Sequence, residues 1–392
     1  MADRLLLGNI DCETHFAAHA SPGREAAALP RNVLENISAA ATLLRVFSID
    51  EDRLWTPVEI APERLSGPPE LARPRLLSGP LAEVDGSEEL LAWGETLPVT
   101  KLRAGEKPRR DFLEKSSLAE NLWDLPLPAA ASAAKINDKR FCHELCENLG
   151  CALPASRVLE NEADLQGHLE AENTQAESTG GWVLKAPFSA AGRLRVISSG
   201  PRLGELELKR ARNLFKAQGS LVFQPWLART ADFGFCALVL EERTILLGSH
   251  GLETDSQGRF RALVFDPRPA APGLAGPAEG EKLEAAVSAA ADAARKAGYL
   301  GPLEVDCWSG RDGSGGNHFH PLGEINARVS FGLIGRAIIE KLSESTGWLK
   351  REPARLVIGP PQLRTDSAET IELLSVAEPD RCGAWLERIS PG

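Results

Sequence analysis

The chain has 392 residues, 43% of them hydrophobic, which is enough to bury two or three cores rather than a single small one. Its 44 basic and 55 acidic residues give a net charge of -11. They include no lysine/arginine block able to neutralise a run of phosphates, which argues against a nucleic-acid partner. The opening MADRLLLGNIDCETH interrupts its short apolar run at Asn9 and Asp11, which suits neither a secretory signal nor a membrane span, and no later stretch reaches the roughly 20 apolar residues that a span needs. Seven irregularly spaced cysteines read as reduced thiols of a cytoplasmic protein.

In chain order, residues 1–127 alternate apolar runs (Arg4 to Leu7, Glu89 to Trp93) with a helical stretch from Val33 to Arg45, the pattern of a small α/β domain. Dense proline between Pro57 and Pro80 predicts an irregular excursion, and DLPLPAAASAA, Asp124 to Ala134, predicts a linker. Residues 128–220 form the next unit. It has a helix from Ile136 to Leu149 capped by Asn137 or Asp138, a strand from Ala155 to Leu159, a helix from Glu162 to Leu169, strands at Trp182–Ala186 and Leu194–Ser198, and a helix from Leu203 to Gln218. Residues 221–346 then give consecutive antiparallel strands at Leu221–Trp226, Phe233–Leu240, Arg243–Leu252 and Phe260–Phe265. A helix from Lys282 to Ala297 and strands at Leu303–Trp308 and His318–Ile325 follow. The tail 347–392 carries no readable signal. The order of elements is α+β. Cys142, His143, Cys146 and Cys151 are either a metal cluster or, with Phe141 and Leu145, the buried stripe of an amphipathic helix.

The most informative segment is Gly301 to Gly332, in which two apolar strands flank the turn-forming run Arg311 to Asn317. A hairpin symmetric about position 315 places Asp306 opposite Glu324 and Glu304 opposite Asn326, all on one face. Like charges packed this way call for a cation, and hard oxygen ligands of this kind suit Mg²⁺, or Mn²⁺ in its place, with sites left for water and phosphate. A bulge would alter that parity, and the bland alternative is a hairpin with its acids in solvent. Arg328 and Ser330 continue the same face and suit a negatively charged reacting group. His318 and His320 share it too, which allows either a general base or an ordinary hydrogen-bonded role.

Lys185 ends an apolar strand, where a buried stem would hold its ammonium over the strand's mouth. The small side chains of Ser189-Ala190-Ala191-Gly192-Arg193 let backbone N–H groups approach phosphate oxygens, without the ending of a P-loop. At Gln224-Pro225-Trp226-Leu227 the proline carbonyl can accept from an adenine amino group while the Leu227 N–H donates to the ring. Asp232 can take ribose hydroxyls, although alone Trp226 reads as core packing and Asp232 as a turn residue.

Taken in order, Lys139 in INDKRF, Lys185 with its loop, the segment Gln224 to Leu227, and Asp306 with EINAR at Glu324 to Arg328 resemble the ATP-grasp superfamily across roughly Ala134 to Glu340. The resemblance implies an ATP-grasp fold, two α+β subdomains gripping ATP, preceded by a small α/β domain that helps to bind substrate. It implies that Lys139 and Lys185 bind nucleotide phosphates, that the loop closes over them, that Asp306, Glu324 and Asn326 hold Mg²⁺, and that Arg328 faces a carboxylate or acyl phosphate. The chain departs from the family in retaining only Gly192 in the loop, in having Leu194 where a second glycine is common, and in having Gln224 where glutamate is usual. The expected function is an ATP- and Mg-dependent ligase that activates a small carboxylate as its acyl phosphate and joins it to an amine or other nucleophile, with Lys185 and Arg328 as catalytic cations. A nucleotide-binding regulator and a carboxylate kinase are the alternatives. Oligomeric state is open, with a homodimer among the options.

Overall fold

The protein is described from a computed structural model, covering residues 4–21, 23–84, 89–103, 112, 114–115, 117–126, 128–171, 181–189, 194–198, 204–255, 258–267, 277–311, 315–367, 369–378 and 381–389. Three sheets organise these residues. The first is parallel, in the order β3-β2-β1-β4, with β1 at Arg4–Leu7, β2 at Arg53–Thr56, β3 at Arg75–Ser78 and β4 at Glu89–Ala92. The chain leaves β1 toward β2 on one side while β4 pairs on the other, so the carboxyl end of β1 sits at a topological switch point, where open α/β sheets form their crevices. Parallel strands need crossovers, and the helices Cys12–Ala20 and Arg31–Ala41 supply one.

The second sheet is antiparallel, in the order β5-β8-β6-β7, with β5 at Arg157–Leu159, β6 at Trp182–Lys185, β7 at Arg195–Ser198 and β8 at Leu221–Pro225. The helix Glu205–Gln218 buries Ala211, Leu214 and Phe215 in the core this sheet shares with Trp182, Leu184 and Phe223. The third sheet has eight strands in the order β13-β12-β9-β10-β11-β14-β16-β15. They are β9 Ala228–Val239, β10 Thr244–Thr254, β11 Phe260–Phe265, β12 Gly301–Arg311, β13 Asn317–Asn326, β14 Ala354–Gly359, β15 Thr370–Leu374 and β16 Gly383–Arg388. Its main core takes one face of the helix Pro277–Lys296, through Leu283, Val287, Ala290, Ala291 and Ala294. No helix among the described residues is long and apolar enough to cross a membrane.

Three sequence expectations need correction. The proline-dense stretch is not wholly irregular: Arg75–Ser78 completes the parallel sheet against Arg53–Thr56, because the prolines stop short of those four residues. Ala130 to Ala134 lies in a helix, Ala130–Asn137, since alanine has the highest helix propensity once Pro126 and Pro128 are passed. Asp138 then breaks the expected continuous helix. It is extended at ψ 121 and caps Lys139–Asn148 by accepting from the Arg140 N–H at 2.8 Å. Third, the C-terminal segment contributes β14, β15 and β16 to the large sheet. Its strands alternate poorly because Ala354–Ile358 and Gly383–Glu387 are buried on both faces, which hides the period-2 signal.

Candidate active site

The hairpin β12–β13 has the expected register at its base, with Asp306 opposite Glu324, Val305 opposite Ile325 and Glu304 opposite Asn326. Higher up the pairing slips, so that Trp308 faces His320 and Arg311 faces Asn317; the slip falls after Asp306 and spares the acidic pair. Lys139 reaches in from the start of its helix, donating to the Glu324 Oε1 at 2.8 Å and to the Ser189 carbonyl at 2.8 Å. The Asn326 amide donates to the Asp306 Oδ2 at 3.3 Å and accepts from the Arg328 Nη2 at 2.8 Å. Burial pushes the Asp306 carboxyl well above the ordinary range, and the charges of Glu304 and Glu324 push it the same way. Burial would also raise Glu324, but the neighbouring Lys139 ammonium, with Lys185 and Arg328, holds it below its ordinary value. Two acids and an amide oxygen with a deficit of positive charge around Asp306 fit a hard divalent cation.

Glu304 does not join them. Its carboxylate lies 3.4 Å from the fully buried His250 imidazole, and Gly234 and Gly332 flank the pair closely. A Cβ at Gly332 would stand 2.2 Å from the His250 ring, so this contact requires glycine at the beginning of the helix Phe331–Leu342. Among the described residues there is no group of three or more His, Cys, Asp and Glu side chains placed to hold a metal. The expected convergence of three carboxylates is therefore two carboxylates with Asn326, because His250 engages the third. The cysteine cluster is resolved in the same way. Cys142 and Cys146 are buried, and their thiols point at the Leu322 carbonyl at 4.0 and 3.1 Å, as in the buried-stripe reading.

Lys185 donates to the Gln224 Oε1 at 2.6 Å, a neutral partner that holds this lysine without neutralising it. Burial first, and the Arg229 charge second, lower its ammonium to about 8. An unfolded lysine keeps its proton up to about 10.5, so this group makes the fold gain stability as pH rises from about 8 toward 10.5. Polyphosphate binding should run the other way, since an anion favours the protonated form. Calorimetry of ATP binding at pH 8 in buffers of different ionisation enthalpy should show net proton uptake, and Lys185→Met should remove it; equal heats in all buffers would contradict the placement of Lys185 against phosphate.

Residues 224–227 adjoin the cavity through Lys185, Arg195 and Arg229, which line it. The Trp226 N–H donates to the Gly181 carbonyl at 2.9 Å, and Leu227 packs with Leu153 and Trp308. In front of Trp226 stand two arginines that sequence reasoning missed, Arg195 at 5.8 Å and Arg229 at 5.6 Å from the ring, the latter also 5.1 Å from Trp308. Asp232 lines the cavity and accepts from Arg229 at 2.7 Å and from the Thr254 hydroxyl at 2.8 Å. Gly192 and Arg193 lie outside the described residues. At the loop's far edge Leu194 adopts φ 51, the left-handed conformation that favours glycine, at the position where the family commonly has one. His318 and His320 pack against Trp308, at ring separations of 5.6 and 5.2 Å. Burial, reinforced by the Lys185 charge, lowers the His320 imidazole to about 3, so it is neutral near pH 7 and a poor proton acceptor; the general-base option fails for it on that ground.

Arg328 is held by a residue with no signature in the sequence. Glu13, at the start of the helix after β1, makes an ion pair with the Arg328 Nη2 at 2.8 Å. Burial alone would lower the guanidinium, but the charges of Glu13, Glu324 and Glu304, with others around it, together outweigh burial and keep it raised. The Val329 N–H also donates to the Trp93 carbonyl at 2.8 Å, so the carboxyl edge of the parallel sheet closes one end of the hairpin. Lys139, Lys185, Ser189, Asp232, Asp306, Glu324, Asn326 and Arg328 all line one cavity of about 470 Å³.

This architecture is the ATP-grasp fold, with a parallel α/β domain in front of it. No protein-family model matches the sequence, and no curated protein matches it. Solved structures do. N5-carboxyaminoimidazole synthetase from Staphylococcus aureus is 11% identical, with 99% of this chain and 93% of that chain covered and a TM-score of 0.55. The corresponding ribonucleotide synthetase from Thermus thermophilus is 17% identical over 98% and 93%, TM-score 0.55. The biotin carboxylase domain of Hydrogenobacter thermophilus 2-oxoglutarate carboxylase, in complex with MgADP, ADP and bicarbonate, is 15% identical over 100% and 87%, TM-score 0.53. These enzymes belong to the ATP-grasp superfamily.

Proposed function

We propose that the protein is an ATP- and Mg²⁺-dependent ligase that converts a carboxylic acid to its acyl phosphate and passes the acyl group to an amine. The observation that carries this reading is the acidic pair Asp306–Glu324 on neighbouring strands, with Lys139 already seated on Glu324. Residues 1–127 would form the domain that helps to hold substrate, 128–220 and 221–346 the two gripping subdomains, with 347–392 extending the second. The structural neighbours in complex with MgADP and bicarbonate, or with ADP and 5-aminoimidazole ribonucleotide, support ATP with a divalent ion as the cosubstrate and small molecules as partners. Seven free thiols support a reducing, cytoplasmic setting.

In the proposed reaction a carboxylate oxygen attacks the γ-phosphorus, an O–P bond forms, and the bond to the β-phosphate oxygen breaks, releasing ADP with its electron pair. The amine nitrogen then attacks the acyl carbon, the C–O bond to phosphate breaks, and the amine proton passes to solvent. Bound Mg²⁺ would neutralise phosphate charge. Lys139 and Lys185 would bind phosphate oxygens, while Arg328 would orient the carboxylate and offset charge on the tetrahedral species. Asp306, Glu324 and Asn326 supply hard oxygens for the ion.

The test is incubation with MgATP and candidate acid and amine pairs, with no chemical trap for acyl phosphate. ADP, free phosphate and the amide appearing in equal amounts support the ligase. Phosphate retained on the organic product would indicate a carboxylate kinase, and ATP binding without ADP formation a regulator; either outcome overturns the reading.

A further inference from the structure

Beyond the acids and lysines the cavity continues between the parallel sheet and the large one, and its character changes. Ile10 and Trp93, just past the ends of the adjacent strands β1 and β4, meet Phe331 at the start of the helix Phe331–Leu342, Phe260 on β11, Ile37 on the helix Arg31–Ala41 and Ile358 on β14. Trp93 and Phe331 pack edge to face with ring centroids 4.9 Å apart, and Phe331 stacks on Phe260 at 6.0 Å, giving a continuous aromatic wall from the first domain to the last sheet. Phe260, Phe331, Ile10 and Ile37 are only half-buried, so their remaining apolar surface faces the cavity they line. Lys139 and Lys185 are held by Glu324 and Gln224, while Arg195 and Arg229 flank Trp226 near the Phe260 end of the wall, where Thr254, the register partner of Phe260, donates to Asp232. At the Trp93 end of the wall the cation is Arg328, paired with Glu13 and followed by Val329, whose N–H donates to the Trp93 carbonyl. Beside it Ser330, Phe331 and Gly332 open a helix of 12 residues, whose start is already met by the buried Glu304 carboxylate.

A chamber of this composition offers little to a phosphorylated or strongly polar molecule and much to an apolar one, because apolar surface is stabilised in proportion to the area withdrawn from water. We propose that the acid activated by this protein carries an apolar body, about the size of a leucine or phenylalanine side chain. The body would lie along the Trp93–Phe331–Phe260 wall, with the carboxylate at Arg328. The proposal rests on the ligase reading and names the substrate class for its first step, in which the acid oxygen takes the γ-phosphoryl group and ADP leaves. An α-amino acid and a plain carboxylic acid share this chemistry; in the amino acid the ammonium would lie against Glu13.

The experiment uses the full chain with MgATP and hydroxylamine, measuring ADP formation with acetate, propionate, succinate, glycine, serine, 3-phenylpropanoate, 4-methylpentanoate, phenylalanine and leucine. The expected result is a KM at least tenfold lower for the apolar-bodied acids than for propionate or serine, with the phenylalanine/phenylpropanoate ratio telling the two sources apart. Ile37→Asp and Phe260→Ala should each raise the KM for the apolar acid roughly ten- to hundredfold with little change in kcat, since they remove binding made equally in ground and transition states. The KM for MgATP should stay unchanged in Ile37→Asp. Turnover with small or polar acids but none with apolar ones, or variants that leave the apolar acid's KM unmoved, overturns the chamber assignment while the ligase reading stands. No ADP with any acid overturns both.

Discussion

Glu324→Gln should abolish Mg²⁺-dependent ATP turnover, lowering it by more than roughly a hundredfold. The substitution keeps size and hydrogen-bonding capacity but removes a charge that Lys139, at 2.8 Å, and Lys185 hold in its ionised form. Two effects follow. The proposed divalent ion would lose an anionic oxygen opposite Asp306, and Lys139 would lose the partner that positions it. The second effect must be separated from unfolding, because removing one member of a buried pair can cost about 3–5 kcal/mol. A circular-dichroism melt alongside the ADP assay makes that distinction. Lys139 is buried to 8% exposure while Glu324 keeps 27%, so its environment is wet enough for the fold to survive. Normal turnover in a folded variant would remove the acidic hairpin from the chemistry.

Arg328→Ala should leave nucleotide binding within a fewfold of wild type and lower turnover by about a hundredfold, the usual effect of losing one preorganised cation worth ~3 kcal/mol. Arg328 stands on the far side of Asn326 from the lysines, and its guanidinium bridges that residue and Glu13. Its position therefore suits the acid and the acyl phosphate, not the nucleotide. Glu13→Gln should give a smaller loss in the wild-type background and none in the Arg328→Ala background, since Glu13 acts through the arginine. Additive losses would give Glu13 a separate role, and unchanged kcat in Arg328→Ala would contradict the assignment altogether.

The parts of this site that the sequence revealed share one property, a local geometry rigid enough to count along. Strand alternation alone puts Glu304, Asp306, Glu324 and Asn326 on a common face, and the register places the pairs as the counting does. Counting could not say that His250, more than fifty residues away, would turn Glu304 from the ion site, since nothing local links the two. Glu13 was hidden for the same reason. Its partner lies 315 positions further on in the chain, and only the stacking of the parallel sheet's carboxyl edge on the hairpin brings them together. Arg195 and Arg229 were not legible because only the fold brings them to the same ring, that of Trp226. The C-terminal strands were missed because fully buried strands lose their period-2 pattern. Leu194 was legible, by contrast, as a departure from a glycine position, and its φ of 51 is the backbone counterpart of that reading.

The account depends on a divalent ion shared between the hairpin acids and the nucleotide. Mn²⁺ electron paramagnetic resonance with a nonhydrolysable ATP analogue measures this directly, in the wild-type protein and in Glu324→Gln. The account predicts that protein and analogue together immobilise Mn²⁺ far more tightly than either does alone, and that Glu324→Gln weakens this binding by at least about tenfold. Equal Mn²⁺ binding in the two proteins would contradict it.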